Sequence, residues 1–281
     1  MNLPFDVPLS RETQNEIETV TLENGIQVKI IGEGTPLVFF HGGRGSWLHW
    51  VNNIEMLKSH YQLHIFDLPG FGASSTITAD APATSYFART IESIKLLFPN
   101  GERFHLAGFS FGGLTASATT VSLPEQVLTL SLLAPAGFAL KMPKVREKAS
   151  LRADMTEQEI LEVHRTNLKA LLLSSNFEVD ETTLAIQHYN ISSARYYSFK
   201  PSAENLLDGY LKQITIPTQI IIPEQDIYMA PNMDKDIERC REQLPELHFD
   251  RLPNAGHWGQ YENPTGYNQL LHSFIEQANA S

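Results

Sequence analysis

The chain has 281 residues, 42% of them hydrophobic, and 32 acidic against 21 basic side chains give a formal net charge of −11. This length accommodates one large α/β domain with a smaller insert. The acidic balance argues against a nucleic-acid partner, because phosphate recognition needs clustered Lys and Arg. The apolar runs are too short and interrupted for a membrane span. The N-terminus lacks the basic start and apolar core of a secretory signal. The single cysteine, Cys240, cannot form an internal disulfide, which fits a reduced, cytoplasmic setting.

In chain order, the stretches 17–22 and 26–31 are short β-rich runs joined by Glu23-Asn24-Gly25, a hairpin signal. Pro36–Phe40 reads as a buried strand ending in His41-Gly42-Gly43-Arg44-Gly45. Apolar spacing over Trp47–Leu57 predicts a helix. A strand at 63–66 leads into Asp67-Leu68-Pro69-Gly70-Phe71-Gly72, and a helix is expected over 83–98. The 67–72 loop matches neither nucleotide fingerprint and reads as a structural turn. Strands follow at 104–107, 127–133, 218–222 and 247–252, with helices over 114–120, 233–244 and 264–278. After the opening pair, strand–helix alternation predicts a mostly parallel sheet with helices on both faces. The alternation breaks once: residues 139–210 offer helical stretches at 156–173 and 182–195 but no strand. This helical insert begins with a basic run, Lys141, Lys144, Arg146, Lys148 and Arg152, opposed only by Glu147.

Residues 108–113 read Gly-Phe-Ser-Phe-Gly-Gly between an expected strand and an expected helix, the setting of a nucleophile elbow. Ser110 would occupy the apex of the turn. Gly108 and Gly112 would be required because side chains there would collide across it. A serine hydroxyl needs a base and an orienting acid. His257, in Asn254-Ala255-Gly256-His257-Trp258, follows the last strand, and Asp226 follows the strand before it. Loops at the C-terminal ends of parallel strands share one rim. Asp226 is preferred over Glu224 because the loop needs a few residues to turn over the sheet edge. His49, His60, His64, His105, His164, His188, His248 and His272 read as structural or surface positions, and His41 as a brace for its glycine loop. The Gly43 and Phe111 amides are placed to bind an oxyanion. Cys240 reads as an inert helix position.

Taken together, His-Gly-Gly at 41–43, Asp-Leu-Pro-Gly-Phe-Gly at 67–72, the 108–113 elbow, Asp226 and Gly-His-Trp at 256–258 closely resemble the α/β-hydrolase superfamily, with the order Ser, acid, His. The resemblance implies an α/β-hydrolase core, a mostly parallel sheet flanked by helices formed by 1–138 and 211–281. It also implies a helical cap, 139–210, inserted after strand six. Ser110 in place of Asp departs from the dehalogenase and epoxide-hydrolase branches. The chain is most similar to capped esterases and to hydrolases of the meta-cleavage-product type, and it also resembles cofactor-free haloperoxidases and perhydrolases. Trp258 is similar to the meta-cleavage group, whereas Phe109 replaces the polar residue usual there. Phe109 and Phe111 suggest an apolar acyl pocket.

The leading expectation is hydrolysis of a small-molecule ester or related acyl bond through an acyl-enzyme, without cofactor or metal. The alternatives are hydrolytic carbon–carbon cleavage of a diketo acid and a non-enzymatic binding module on the same fold. Gly42, Arg44, Phe109, Arg195 and Trp258 are the expected substrate contacts. For a diketo acid, Arg44, Arg195 or the basic start of the cap would hold the carboxylate. A homodimer is possible.

Overall fold

The computed structural model describes residues 5–137, 147–229, 233–244 and 246–280. Lys141, Lys144, Arg146 and the expected 138/139 boundary lie outside the described residues. The elements in order are α1 (Arg11–Glu16), β1 (Glu18–Thr21), β2 (Gln27–Ile31), β3 (Pro36–Phe40), a 3₁₀ helix (Trp47–Asn53), α2 (Ile54–Leu57), β4 (Gln62–Phe66), α3 (Ala83–Leu97), β5 (Phe104–Phe109), α4 (Phe111–Ser122) and β6 (Val127–Leu133). Then come α5 (Glu157–Leu171), α6 (Glu181–Ser193), α7 (Phe199–Ala203), α8 (Leu207–Leu211), β7 (Thr218–Pro223), α9 (Met233–Gln243), β8 (His248–Leu252), α10 (Gly259–Glu262) and α11 (Pro264–Ala280).

The eight strands form one sheet in the order β1-β2-β4-β3-β5-β6-β7-β8. The hairpin β1/β2 and the pair β2/β4 are antiparallel, and every other pairing is parallel. Strands β5 and β7 are buried along their whole length, which is why they read as near-continuous apolar runs. The chain passes from β3 to β4 on one side and then crosses back through α3 to β5 on the other. Ligands bind at such a topological switch point in open α/β sheets. The loop after β3 and the turn after β5 meet there.

Helix α4 lies against the sheet, with ten of its twelve residues buried. Its composition explains this: small residues allow close approach to β5 and β6. Its buried hydroxyls on Thr115, Ser117, Thr119 and Thr120 donate to carbonyls four residues back. This satisfies them without an outside partner.

Two kinds of element differ from the sequence expectation. The stretch 47–57 is a 3₁₀ helix followed by a single α-turn, because its first amides are diverted. Trp47 N–H donates to Asp67 Oδ1, Leu48 N–H to Ser46 Oγ and His49 N–H to the Ser46 carbonyl. The short helices α1, α7, α8 and α10 have six residues or fewer, too few to show a period. Among the described residues no helix is long and apolar enough to cross a membrane.

A Cβ on Gly112 would press on the backbone carbonyls of Phe40 and His41, whereas one on Gly209 would meet nothing within 4 Å. Gly112→Ala is expected to cost about 1–3 kcal/mol through overpacking. Gly209→Ala is expected to be neutral or to gain up to about 1 kcal/mol. Urea denaturation of both variants checks the contrast, and equal stability would contradict it.

Burial holds His105, in β5, at about 4 against an ordinary 6.5. Its Nδ1 pairs with Thr129 Oγ1, while Nε2 has no protein partner. The folded value lies below the unfolded one. Its contribution to stability is therefore complete above pH 6.5 and is lost as pH falls toward 4. His105→Asn should flatten the fall in Tm over that window, and an unchanged slope would show that His105 does not titrate on unfolding.

Candidate active site

The strand β5 runs two residues further than its apolar core suggests, because Gly108 pairs with Phe40 and Phe109 with Leu133. The chain then turns abruptly into α4. Ser110 adopts φ 52° and ψ −116°, a left-handed conformation that non-glycine residues rarely adopt. Such strain persists only where the surroundings over-determine it, and here they do. Ser110 N–H donates to the Leu133 carbonyl, and the Ser110 carbonyl accepts from Gly113, Leu114 and Ala136. A Cβ on Gly108 would lie 2.5 Å from the Gly112 carbonyl oxygen. The Ser110 hydroxyl does not cap its own helix and is free for other work.

That hydroxyl lies 3.0 Å from His257 Nε2, and His257 Nδ1 lies 2.7 Å from Asp226 Oδ2. Asp226 is fully buried. Its Oδ1 accepts from the amides of Tyr228 at 2.7 Å and Met229 at 3.3 Å. The carboxylate is thus fixed in orientation, and Nδ1 of His257 carries the proton it donates. Three residues far apart in sequence therefore form one relay. It can move a proton from Ser110 through His257 while the buried carboxylate stabilises the imidazolium.

The loop after β3 is braced by two histidines. His41 is fully buried, and its burial depresses the ring to about 4, so it stays neutral. Its Nδ1–H donates to the Gly42 carbonyl and its Nε2 accepts from Leu68 N–H. His49 Nδ1 accepts the Gly42 N–H at 3.3 Å, and desolvation holds this ring well below its usual range. With the Gly42 amide engaged, Gly43 N–H is the first amide of the loop left without a partner among the described residues. Neither Gly43 N–H nor Phe111 N–H donates to another described residue. The two residues adjoin: a Cβ on Gly43 would lie 3.7 Å from Phe111 Cβ.

The side chains expected to touch substrate are committed elsewhere. Trp258 is fully buried, donates from Nε1 to the His49 carbonyl and stacks on Tyr261 at 4.0 Å. The Phe109 ring lies under Gly42, between His49 and His257. The Phe111 ring is buried against Tyr86 and Tyr196. Strand alternation and the helix start turn both rings into the core. The Arg195 guanidinium donates to the carbonyls of Ser193, Gly72 and Ser74. Arg44, itself left-handed at φ 53°, pairs with Glu147 at an exposed position. A cavity of about 340 Å³ opens beside Asp226 and His257, bounded by 169–175, and Ser110 does not line it. Among the described residues no cluster of His, Cys, Asp or Glu could hold a metal ion.

Two residues escape sequence reasoning. His49 belongs to a helix-like run, and nothing in its spacing aims it at Gly42. Glu262 is half-buried and accepts from the amides of Gly256 and Ser174, clamping the His257 loop to the chain after α5. Desolvation raises its pKa, against the pull of those amides.

The sequence profile described as the alpha/beta hydrolase fold matches residues 35–264. A 2-hydroxy-6-oxononadienedioate/2-hydroxy-6-oxononatrienedioate hydrolase from Klebsiella pneumoniae is 26% identical over 278 residues, covering 90% of this chain and 91% of that protein. Among solved structures, a carboxylesterase from Bacillus subtilis superposes with a TM-score of 0.70 at 21% identity, over 92% of this chain and 91% of that one. A meta-cleavage product hydrolase from Pseudomonas fluorescens gives the same TM-score and identity, over 94% of this chain and 99% of that one. At this identity the structural likeness speaks for the fold alone. The profile spans most of the chain, including strands β3 to β8 and the loops that carry Ser110, Asp226 and His257, and the chain belongs to the α/β-hydrolase family.

Proposed function

We propose that the chain is a serine hydrolase that cleaves a carboxylic ester, or a closely related acyl bond, through an acyl-enzyme. The observation that carries this reading is the continuous relay from Ser110 Oγ to His257 to Asp226, with two unengaged amides beside it. In this mechanism Ser110 Oγ attacks the acyl carbon as its proton passes to His257 Nε2. The carbonyl oxygen becomes an oxyanion held by Gly43 and Phe111 N–H. Collapse breaks the acyl–oxygen bond, and His257 returns the proton to the departing alcohol. A water molecule, deprotonated by His257, then attacks the acyl-enzyme and releases the acid and Ser110. Segment 139–210 serves as a cap over this site.

A second reading, hydrolytic carbon–carbon cleavage of a vinylogous diketo acid, is favoured by the name of the Klebsiella relative, which spans 90% of the chain. Two observations favour the ester. Arg195 is occupied by three backbone carbonyls, and Arg44 has Glu147 beside it, which would repel a substrate carboxylate. The position before the nucleophile, moreover, is the core residue Phe109.

A fluorophosphonate probe is expected to label the wild type at Ser110, and labelling of Ser110→Ala at the wild-type rate would refute the mechanism. Asp226→Asn should keep the fold and lower kcat on p-nitrophenyl esters by about 10³–10⁴-fold, because it disturbs the tautomer and orientation of His257. Esters of rising chain length should be turned over faster than a ring-fission diketo acid followed by its visible absorbance. The opposite ranking would move the assignment to carbon–carbon cleavage.

A further inference from the structure

The stretch that leaves α6 is fastened to the loop after β4 by a series of independent bonds. Arg195 N–H donates to the Gly70 carbonyl at 2.8 Å and Tyr197 N–H to the Ala79 carbonyl at 3.0 Å. The Arg195 guanidinium reaches the Gly72 and Ser74 carbonyls. Tyr196 donates its hydroxyl to the Ala81 carbonyl, and its ring stacks on Tyr86 at 4.2 Å. Gly70, at φ 78°, lies so close that a Cβ there would come within 2.9 Å of Tyr196 Cβ.

This fastening delivers the next residue, Ser198, to the loop that carries Gly43. A Cβ on Gly43 would overlap Ser198 Oγ. Ser198 is only 5% exposed. Its carbonyl accepts from Ser202, but its own hydroxyl pairs with no other described residue. The residue is buried, but its hydroxyl keeps some access to solvent and is open to a bound ligand. Gly43, which it adjoins, is one of the two candidate oxyanion donors. The two flanking rings, Tyr197 and Phe199, are 63% and 65% exposed, so packing of the stretch rests on Tyr196 and not on its neighbours.

We propose that Ser198 is a further catalytic residue, its hydroxyl donating a hydrogen bond to the substrate oxygen held by the Gly43 and Phe111 amides. The proposal rests on the acyl-transfer reading above and adds a third donor to that site, supplied by the helical insert. Arg195 and Tyr196 are positioning residues for it. The insert therefore completes the reaction centre as well as covering it.

The test compares the wild type, Ser198→Ala and Ser198→Cys. A thiol keeps the size but is a weaker donor. Removing one oxyanion donor costs about 10²–10³ in rate, and with two amides retained the expected loss for Ser198→Ala is about 10- to 100-fold in kcat/KM. The loss should fall on kcat and leave KM and Tm near the wild type, with Ser198→Cys in between. The inhibition constant of an alkyl trifluoromethyl ketone, whose hemiketal with Ser110 carries the oxyanion, should rise by the same factor. An unchanged kcat/KM in Ser198→Ala would overturn the proposal. So would a loss that follows Tm, or one that leaves the ketone's inhibition constant unmoved. If Ser198→Ala does not fold, the Cys variant carries the same comparison. A wild type that neither reacts with fluorophosphonate nor hydrolyses esters would instead overturn the acyl-transfer reading itself.

Discussion

The turn between β5 and α4 is the constraint to which the surrounding structure answers. It holds Ser110 at φ 52°, in a region that costs an ordinary residue free energy, and that cost must be met by contacts on all sides. The bonds from Leu133, Gly113, Leu114 and Ala136 provide them. The sharpness of the turn brings Gly112 against the carbonyls of Phe40 and His41, and Gly113 against Pro135. A side chain at any of these glycines would push β3 or β6 away. The small-residue content of α4 follows from the same demand, since the helix must start at the sheet and remain pressed to it.

The loops above that turn are arranged by groups that perform no chemistry themselves. Asp67 accepts from Trp47 and Ala73 and so ties the loops after β3 and β4 together. His41 and His49, both kept neutral by burial, consume the Gly42 carbonyl and amide between them. The Gly43 amide beside it is left free among the described residues. The half-buried Glu262 does the corresponding job for the His257 loop. Placement of donors in advance is what makes electrostatic stabilisation effective, because nothing has to reorganise when charge develops. The proposed participation of Ser198 extends this logic to the helical insert, which Arg195 and Tyr196 attach to the core loops.

Much of this was legible in the chain. The strand–turn–helix setting of Ser110, the loops carrying Asp226 and His257, and the strand–helix alternation of a mostly parallel sheet all follow from local signals: apolar runs, glycines and their spacing. The expected substrate contacts were not legible. Phe109 and Phe111 flank Ser110 in sequence, but the alternation of a strand and the rotation of a helix start send both rings into the core. Trp258 follows His257 yet is spent on packing against Tyr261 and His49. Arg195 looked like a free cation and is a brace. In each case neighbourhood along the chain says nothing about the direction of a side chain once the backbone turns.

The sequence by itself determined the architecture and the residues capable of chemistry, because periodicity, glycine requirements and the order of motifs are local properties of the chain. Only the tertiary structure decided which of those side chains face one another and which are consumed by packing. It alone brought Ser198 beside Gly43 and His49 beside Gly42. The first placement depends on long-range backbone bonds between the insert and the core and the second on the turn that Asp67 holds at Trp47, and no spacing in the sequence encodes either.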